Sequence, residues 1–137
     1  MQDLDTILKL SSESLLNSSR TSKLDAEVLL SNVLKKNIAE LIIDKSTKIN
    51  QDEFISYKKL IKRRELGEPI AYILNRKEFW KNTFFVDRNV LIPRPDTEVI
   101  IEEILKLINK DEKKFILDIG TGSGCIIISI ANERPKL

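Results

Sequence analysis

The chain has 137 residues, 42% hydrophobic and 32% charged, with a net charge of +2. That size holds one ordinary domain, or a small domain with part of another, and neither half has the basic excess of a general nucleic-acid binder. The lone cysteine, Cys125, excludes an intramolecular disulfide, and the lack of histidine removes the usual zinc patterns and every histidine-based triad, so no metal ligands are expected. The longest uncharged apolar stretch, Cys125 to Ala131, falls far short of the roughly 18 to 20 residues that cross a bilayer, and Met1-Gln2-Asp3-Leu4-Asp5 lacks the layout of a signal peptide. A cytoplasmic protein without membrane contact is expected.

From Met1 to Gly67 the apolar residues recur at helical spacing: Leu4, Ile7 and Leu8, then Leu15 and Leu16, then Leu24, Val28, Leu29, Leu30, Val33 and Leu34. Several short helices are predicted. Asn37 with Glu40, and Asn50 with Glu53, have the spacing at which a cap side chain and a carboxylate satisfy each other's backbone amides. The helix begun by Asn50 should bury Phe54, Tyr57, Leu60 and Ile61. Gly67 can take a positive φ at its end, and Glu68-Pro69 forbids its continuation. The basic run Lys58, Lys59, Lys62, Arg63 and Arg64 reads as a solvated helix face, with contact to a macromolecular partner as the alternative.

Ile70 to Trp80 and Thr83 to Val86 are rich in β-branched and aromatic residues, and Lys81-Asn82 between them predicts a hairpin. An unsupported hairpin is marginal in water, so Phe79, Trp80, Phe84 and Phe85 should pack on a neighbour. After Pro93-Arg94-Pro95, a helix starting near Pro95 should present Val99, Ile100, Ile104, Leu107 and Ile108 on one face, with Asp96 and Glu98 favoured by the dipole of its first turn. Phe115-Ile116-Leu117-Asp118-Ile119 has the continuous apolar character of a strand covered on both faces. From Gly124, Ile126, Ile127, Ile130 and Ala131 can begin a helix if burial compensates for the poor helix propensity of isoleucine.

Strand, then Gly120-Thr121-Gly122-Ser123-Gly124, then helix is the layout of a first βα turn in a doubly wound sheet, where ligands sit beyond the strand ends. A GxGxG pattern alone is weak evidence, because nucleotide-binding folds use similar turns. The dinucleotide form, however, spaces its last two glycines as GxxG, and no lysine or arginine lies between Gly120 and Ile130 to meet a phosphate. The bland alternative is a tight turn in which Asp118 caps the next helix. With Asp118 the pattern is Asp-x-Gly-x-Gly-x-Gly, which resembles the first motif of the class I methyltransferases.

Two further segments narrow the resemblance: Gly67-Glu68-Pro69-Ile70-Ala71-Tyr72-Ile73 with Glu78-Phe79-Trp80, and Leu91-Ile92-Pro93-Arg94-Pro95-Asp96-Thr97-Glu98. They closely resemble the protein-(glutamine-N5) methyltransferases of peptide-chain release factors. The resemblance implies an α-helical release-factor-recognition domain over 1–68, a β-hairpin linker over 69–92, and over 93–137 the incomplete start of a Rossmann-like α/β domain that binds S-adenosyl-L-methionine. It implies that Asp118, Gly120, Thr121, Gly122, Ser123 and Gly124 line the cofactor, with Arg94 and Thr97 near the mouth of the pocket and Leu91 able to touch the substrate side chain. For Arg94 an exposed turn residue, for Thr97 a first-turn helix residue, and for Leu91 a core residue are the alternatives. The partner implied for the basic run is the release factor, or ribosomal RNA indirectly. Cys125 reads as a small packing residue beside the loop.

The family's Asn-Pro-Pro-Tyr motif, which holds the target amide, occurs nowhere in these residues, nor does a second strand ending in an acidic residue for the cofactor ribose. The resemblance therefore implies a truncated member, with no catalytic residue in this chain and no activity alone. The part after about Asp111 is expected to be weakly ordered or adventitiously packed. Two other readings stay open: a helical module that binds release factor without catalysis, and a nucleic-acid base methyltransferase that shares the glycine loop.

Overall fold

The computed structural model describes residues 3–43 and 48–136. The chain divides into two compact units, Met1–Leu74 and Asn75–Leu137, each considered by itself.

Among the described residues the regular structure of the first unit is helical: α1 (Leu4–Ser14), α2 (Ser22–Leu34), α3 (Ile38–Ile43), α4 (Gln51–Glu65) and the single turn α5 (Ile70–Ile73). Leu4, Ile7, Leu15, Ala26, Leu29, Leu30, Tyr57 and Ile61 form its core, with Phe54 and Leu60 packed partly buried against it. Leu16 and Leu24, grouped with these by spacing, are exposed. Both capping boxes form. Glu40 N–H donates to Asn37 Oδ1 at 2.7 Å while Asn37 N–H donates to Glu40 Oε2 at 2.9 Å, and the Asn50–Glu53 pair repeats this at 2.9 and 2.8 Å.

At the far end of α4, Gly67 stands at φ +83°. Its N–H donates to Arg64 O, and Glu68 N–H donates to Arg63 O, which satisfies carbonyls the helix end would otherwise leave bare. Arg63 grips Glu68 through Nε and Nη2 at 2.7 and 2.8 Å and also reaches the Tyr72 and Ile73 carbonyls. Arg64 donates to Glu68 O and to Asp25 on α2. These two arginines tie the Gly-Glu-Pro turn and α2 to α4, so the basic run is only in part a solvated face. The predicted extended segment beginning at Ile70 is corrected here. Pro69 supplies an N-terminal turn, its carbonyl accepts from Tyr72 and Ile73, and Ile70–Ile73 is helical.

The second unit opens with the hairpin β1 (Lys77–Phe79) and β2 (Asn82–Phe84), antiparallel, with Lys77 opposite Phe84 and Phe79 opposite Asn82. Its turn is Trp80-Lys81, one residue earlier than predicted, with Trp80 at φ +55°. A short 3-10 turn over Pro95–Thr97 leads into α6 (Glu98–Leu107), and α7 (Cys125–Glu133) closes the unit. Phe79 and Phe84 meet edge to face at 6.2 Å and pack with Ile101, Cys125 and Ile130. Phe85, expected in that packing, is exposed.

The face of α6 is also corrected. Ile101 is fully buried, with Ile104 and Leu105 beside it, whereas Val99, Ile100 and Leu107 are exposed. The stripe 101, 104, 105 obeys the same helical spacing as the one predicted, and contact with α7 and the hairpin selects it. The C-terminal end of α6 is held by Arg134, whose Nη2 and Nε donate to the Leu105 and Ile108 carbonyls at 2.7 Å each.

The run 113–119 is not a strand. Phe115, Leu117 and Ile119 are 107%, 82% and 87% exposed. A strand exists only through its partners, and among the described residues the one sheet is the hairpin. Beyond Asp111 the chain thus splits into 112–119, without helix or strand, and α7, whose Cys125 and Ile130 are buried. Among the described residues no helix is long and apolar enough to cross a membrane.

Candidate functional site

The glycine loop joins the exposed run ending at Ile119 to the first turn of α7. Its three glycines all lie at positive φ: Gly120 at +83°, Gly122 at +55° and Gly124 at +76°. This region costs a residue with a Cβ about 1 to 2 kcal/mol, so glycine here sets the path of the backbone. Gly124 is the cap residue of α7, and its carbonyl accepts from Ile128 N–H at 3.0 Å. A Cβ at Gly124 would stand 2.9 Å from Ile128 Cδ1.

Asp118 does not cap α7, as the bland reading required. Its Oδ2 accepts from Thr121 Oγ1 at 3.0 Å, and Gly124 N–H donates to Thr121 O at 2.9 Å. Asp118, Thr121 and Gly124 are thereby bound into one turn. Ser123 Oγ is enclosed and has no hydrogen-bond partner among the described residues.

The segment before Pro93-Arg94-Pro95 approaches the loop through Val90, whose Cγ2 lies 3.6 Å from where a Cβ on Gly122 would be. Val90 is set by an Asp87–Asn89 turn, in which Asn89 N–H donates to Asp87 Oδ1 at 2.9 Å. Val90 was not among the residues singled out from sequence; the Asp-x-Asn spacing just before it was the available signal. Leu91 is 72% exposed and not a core residue. Arg94 is exposed and begins the 3-10 turn, its carbonyl accepting from Thr97 N–H, and Thr97 is half-buried at the start of α6. The structure therefore gathers Asp118 to Gly124 with Val90, and leaves the Leu91, Arg94 and Thr97 side chains on the adjoining surface segment.

A polar frame holds the C-terminal end of α7. Trp80 Nε1 donates to Glu133 Oε1 at 2.9 Å, and Trp80 N–H donates to Glu98 Oε1 at 2.7 Å. The Lys81 ammonium, with the Trp80 donor second, holds the Glu133 carboxyl below its usual range. Trp80 thus works through its polar edges as well as its ring, with α6 accepting from one and α7 from the other.

The helical unit is a PrmC N-terminal domain, whose family model matches residues 7–74. Across both units the chain is 49% identical over 124 residues to a release factor glutamine methyltransferase of Coxiella burnetii, covering 90% of this chain and 45% of that protein. It is 40% identical over 135 residues to the enzyme of that name from Aliivibrio fischeri, covering 98% and 47%. A bifunctional methyltransferase of Rickettsia felis is 37% identical over 143 residues, covering 85% and 27%. The chain belongs, as an N-terminal portion, to the release factor glutamine methyltransferase family. It spans about half the length of the release factor enzymes it matches.

Proposed function

We propose that this chain supplies the N-terminal portion of an enzyme that transfers a methyl group from S-adenosyl-L-methionine to the side-chain nitrogen of the glutamine in the Gly-Gly-Gln motif of peptide-chain release factors. The observation that carries this reading is the loop from Asp118 to Gly124, with three glycines at positive φ and Asp118 locked to Thr121. The names of its relatives support the substrate.

In this reading residues 1–68 engage the release factor, 69–92 link, and 93–137 begin a Rossmann-like cofactor domain. Asp118, Gly120, Thr121, Gly122, Ser123 and Gly124 would hold the methyl donor, whose sulfonium supplies an already activated methyl group. The loop's contribution is positional: its glycines admit a ligand close to the backbone, and the Asp118–Thr121 bond fixes the carboxylate's direction. Val90 lies beside Gly122, its Cγ2 3.6 Å from where a Cβ there would stand, and Leu91, Arg94 and Thr97 follow it along the chain.

An amide nitrogen is a poor nucleophile because its lone pair is delocalised into the carbonyl, so the target must be held by groups that this sequence lacks. We therefore read these 137 residues as inactive alone. The test uses a protein extended to the full length of its relatives, given radiolabelled S-adenosyl-L-methionine and release factor. Label should enter the release factor and disappear when the Gly-Gly-Gln glutamine is replaced by alanine; an unlabelled wild-type release factor would overturn the reading.

The second reading, a helical module that binds release factor without catalysis, is favoured by one observation: the first unit closes its own core around Leu15, Leu29, Leu30 and Tyr57. Uptake of release factor without uptake of donor by the extended protein would select it.

A further inference from the structure

The first unit carries a groove of about 500 Å³ between α1 and α4. Its apolar lining is Ile7, Leu10, Phe54 and Ile61, and Lys58 and Lys62 stand on its rim. Ile7 and Ile61 are buried in the unit's core, but Leu10 is 54% exposed, a large aliphatic side chain presented at the mouth of the groove. Lys58 Nζ lies over the Phe54 ring, 5.4 Å from its centroid, so an ammonium charge stands directly beside the apolar lining. The one rim carboxylate, Glu65, is held below its usual range by Lys62 first and Ser14 second, with Lys62 Nζ 3.2 Å away. The Lys62 side chain is 71% exposed, so this pair is well screened and Lys62 can be drawn to another carboxylate at small cost.

The structure thus separates the basic run into two jobs. Arg63 and Arg64 are turned to Glu68, Asp25 and backbone carbonyls, while Lys58 and Lys62 frame an apolar groove. An apolar floor edged by two ammonium groups complements a segment that presents one large apolar side chain flanked by carboxylates. We infer that the α1–α4 groove is the docking site through which the helical unit takes such an acidic, amphipathic segment of the release factor. This rests on the release-factor reading above and adds to it the surface and the chemistry that is read.

The test is a fluorescence anisotropy titration of this chain against purified, labelled release factor. Lys58→Glu/Lys62→Glu should weaken binding by tenfold or more and flatten its salt dependence, as loss of rim attraction does. Leu10→Asp, at a half-exposed position where folding is little affected, should weaken it comparably by placing a charge where the apolar anchor sits. Lys59→Glu, a single charge reversal on the same helix outside the groove, should leave affinity within about twofold. If the groove variants bind like wild type, or Lys59→Glu is as damaging as the double variant, the groove assignment fails while the release-factor reading stands. If wild type does not bind, the groove assignment falls together with the assignment of residues 1–68 to release-factor engagement, while methyl transfer is judged by label transfer with the extended protein.

Discussion

Arg64 Nε donates to Asp25 Oδ2 at 2.7 Å across 39 residues of chain, joining α4 to α2. The side chains are 16% and 10% exposed. Ser19 and Thr21 hydroxyls donate to the same carboxylate, at 2.7 and 3.1 Å. Removing the arginine leaves a largely enclosed charge with two neutral donors, a situation that costs several kcal/mol when burial is complete. Arg64→Met should therefore destabilise the helical unit by about 2 to 4 kcal/mol in urea unfolding. A loss under about 0.5 kcal/mol would mean the pair behaves as an exposed one.

Tyr57 supplies a pH dependence. Its ring is fully buried, its hydroxyl donates to Ala26 O at 3.3 Å, and burial pushes the phenol up to about 12 from its ordinary 10.0. Between those values the unfolded chain has lost a proton that the folded chain keeps, so stability is intact below pH 10 and falls as pH rises toward 12. The slope approaches about 1.4 kcal/mol per pH unit inside that window. Tyr57→Phe should cost about 1 kcal/mol at pH 8 through the lost hydrogen bond. Its disadvantage should shrink or reverse at pH 11, as urea midpoints at the two pH values would show.

Gly67 and Gly124 separate backbone strain from crowding. Both stand at positive φ, but a Cβ at Gly67 meets nothing within 4 Å, whereas one at Gly124 meets Ile128 Cδ1 at 2.9 Å. Gly67→Ala should cost about 1 kcal/mol, the backbone penalty alone. Gly124→Ala should cost more and loosen the first turn of α7, seen as faster amide exchange at Ile128, whose N–H is bound to Gly124 O.

Arg134→Met keeps much of the aliphatic stem and removes the donors to the Leu105 and Ile108 carbonyls. Arg134 is only 9% exposed, so water cannot fully replace them. A loss of about 2 kcal/mol is expected, with faster exchange confined to the last turn of α6.

What could be read from the sequence was set by interactions close along the chain. The Asn37–Glu40 and Asn50–Glu53 boxes, the Gly67 terminus and the glycine loop are each completed within a few residues, and each forms. The misread features depend on distant partners. Ile70–Ile73 has β-branched ends, yet the preceding Gly-Glu-Pro turn, clamped by Arg63, starts a helical turn there. Helix α6 has apolar residues on several sides, so the choice of Ile101 over Val99 belongs to α7 and the hairpin. Phe115 to Ile119 has strand composition but lacks a paired neighbour among the described residues. At the candidate site, Asp118 to Gly124 could be named because its turn is local. Val90 could not, because its approach to Gly122 brings together separate segments.

Calorimetric titration of S-adenosyl-L-methionine tests most directly whether this chain holds one wall of a donor site and no more. These 137 residues should show no stoichiometric binding, since the loop is preceded by an exposed, unpaired run, and a protein extended to its relatives' full length should bind one equivalent. Tight one-to-one binding by the chain alone, or none by the extended protein, would contradict this account.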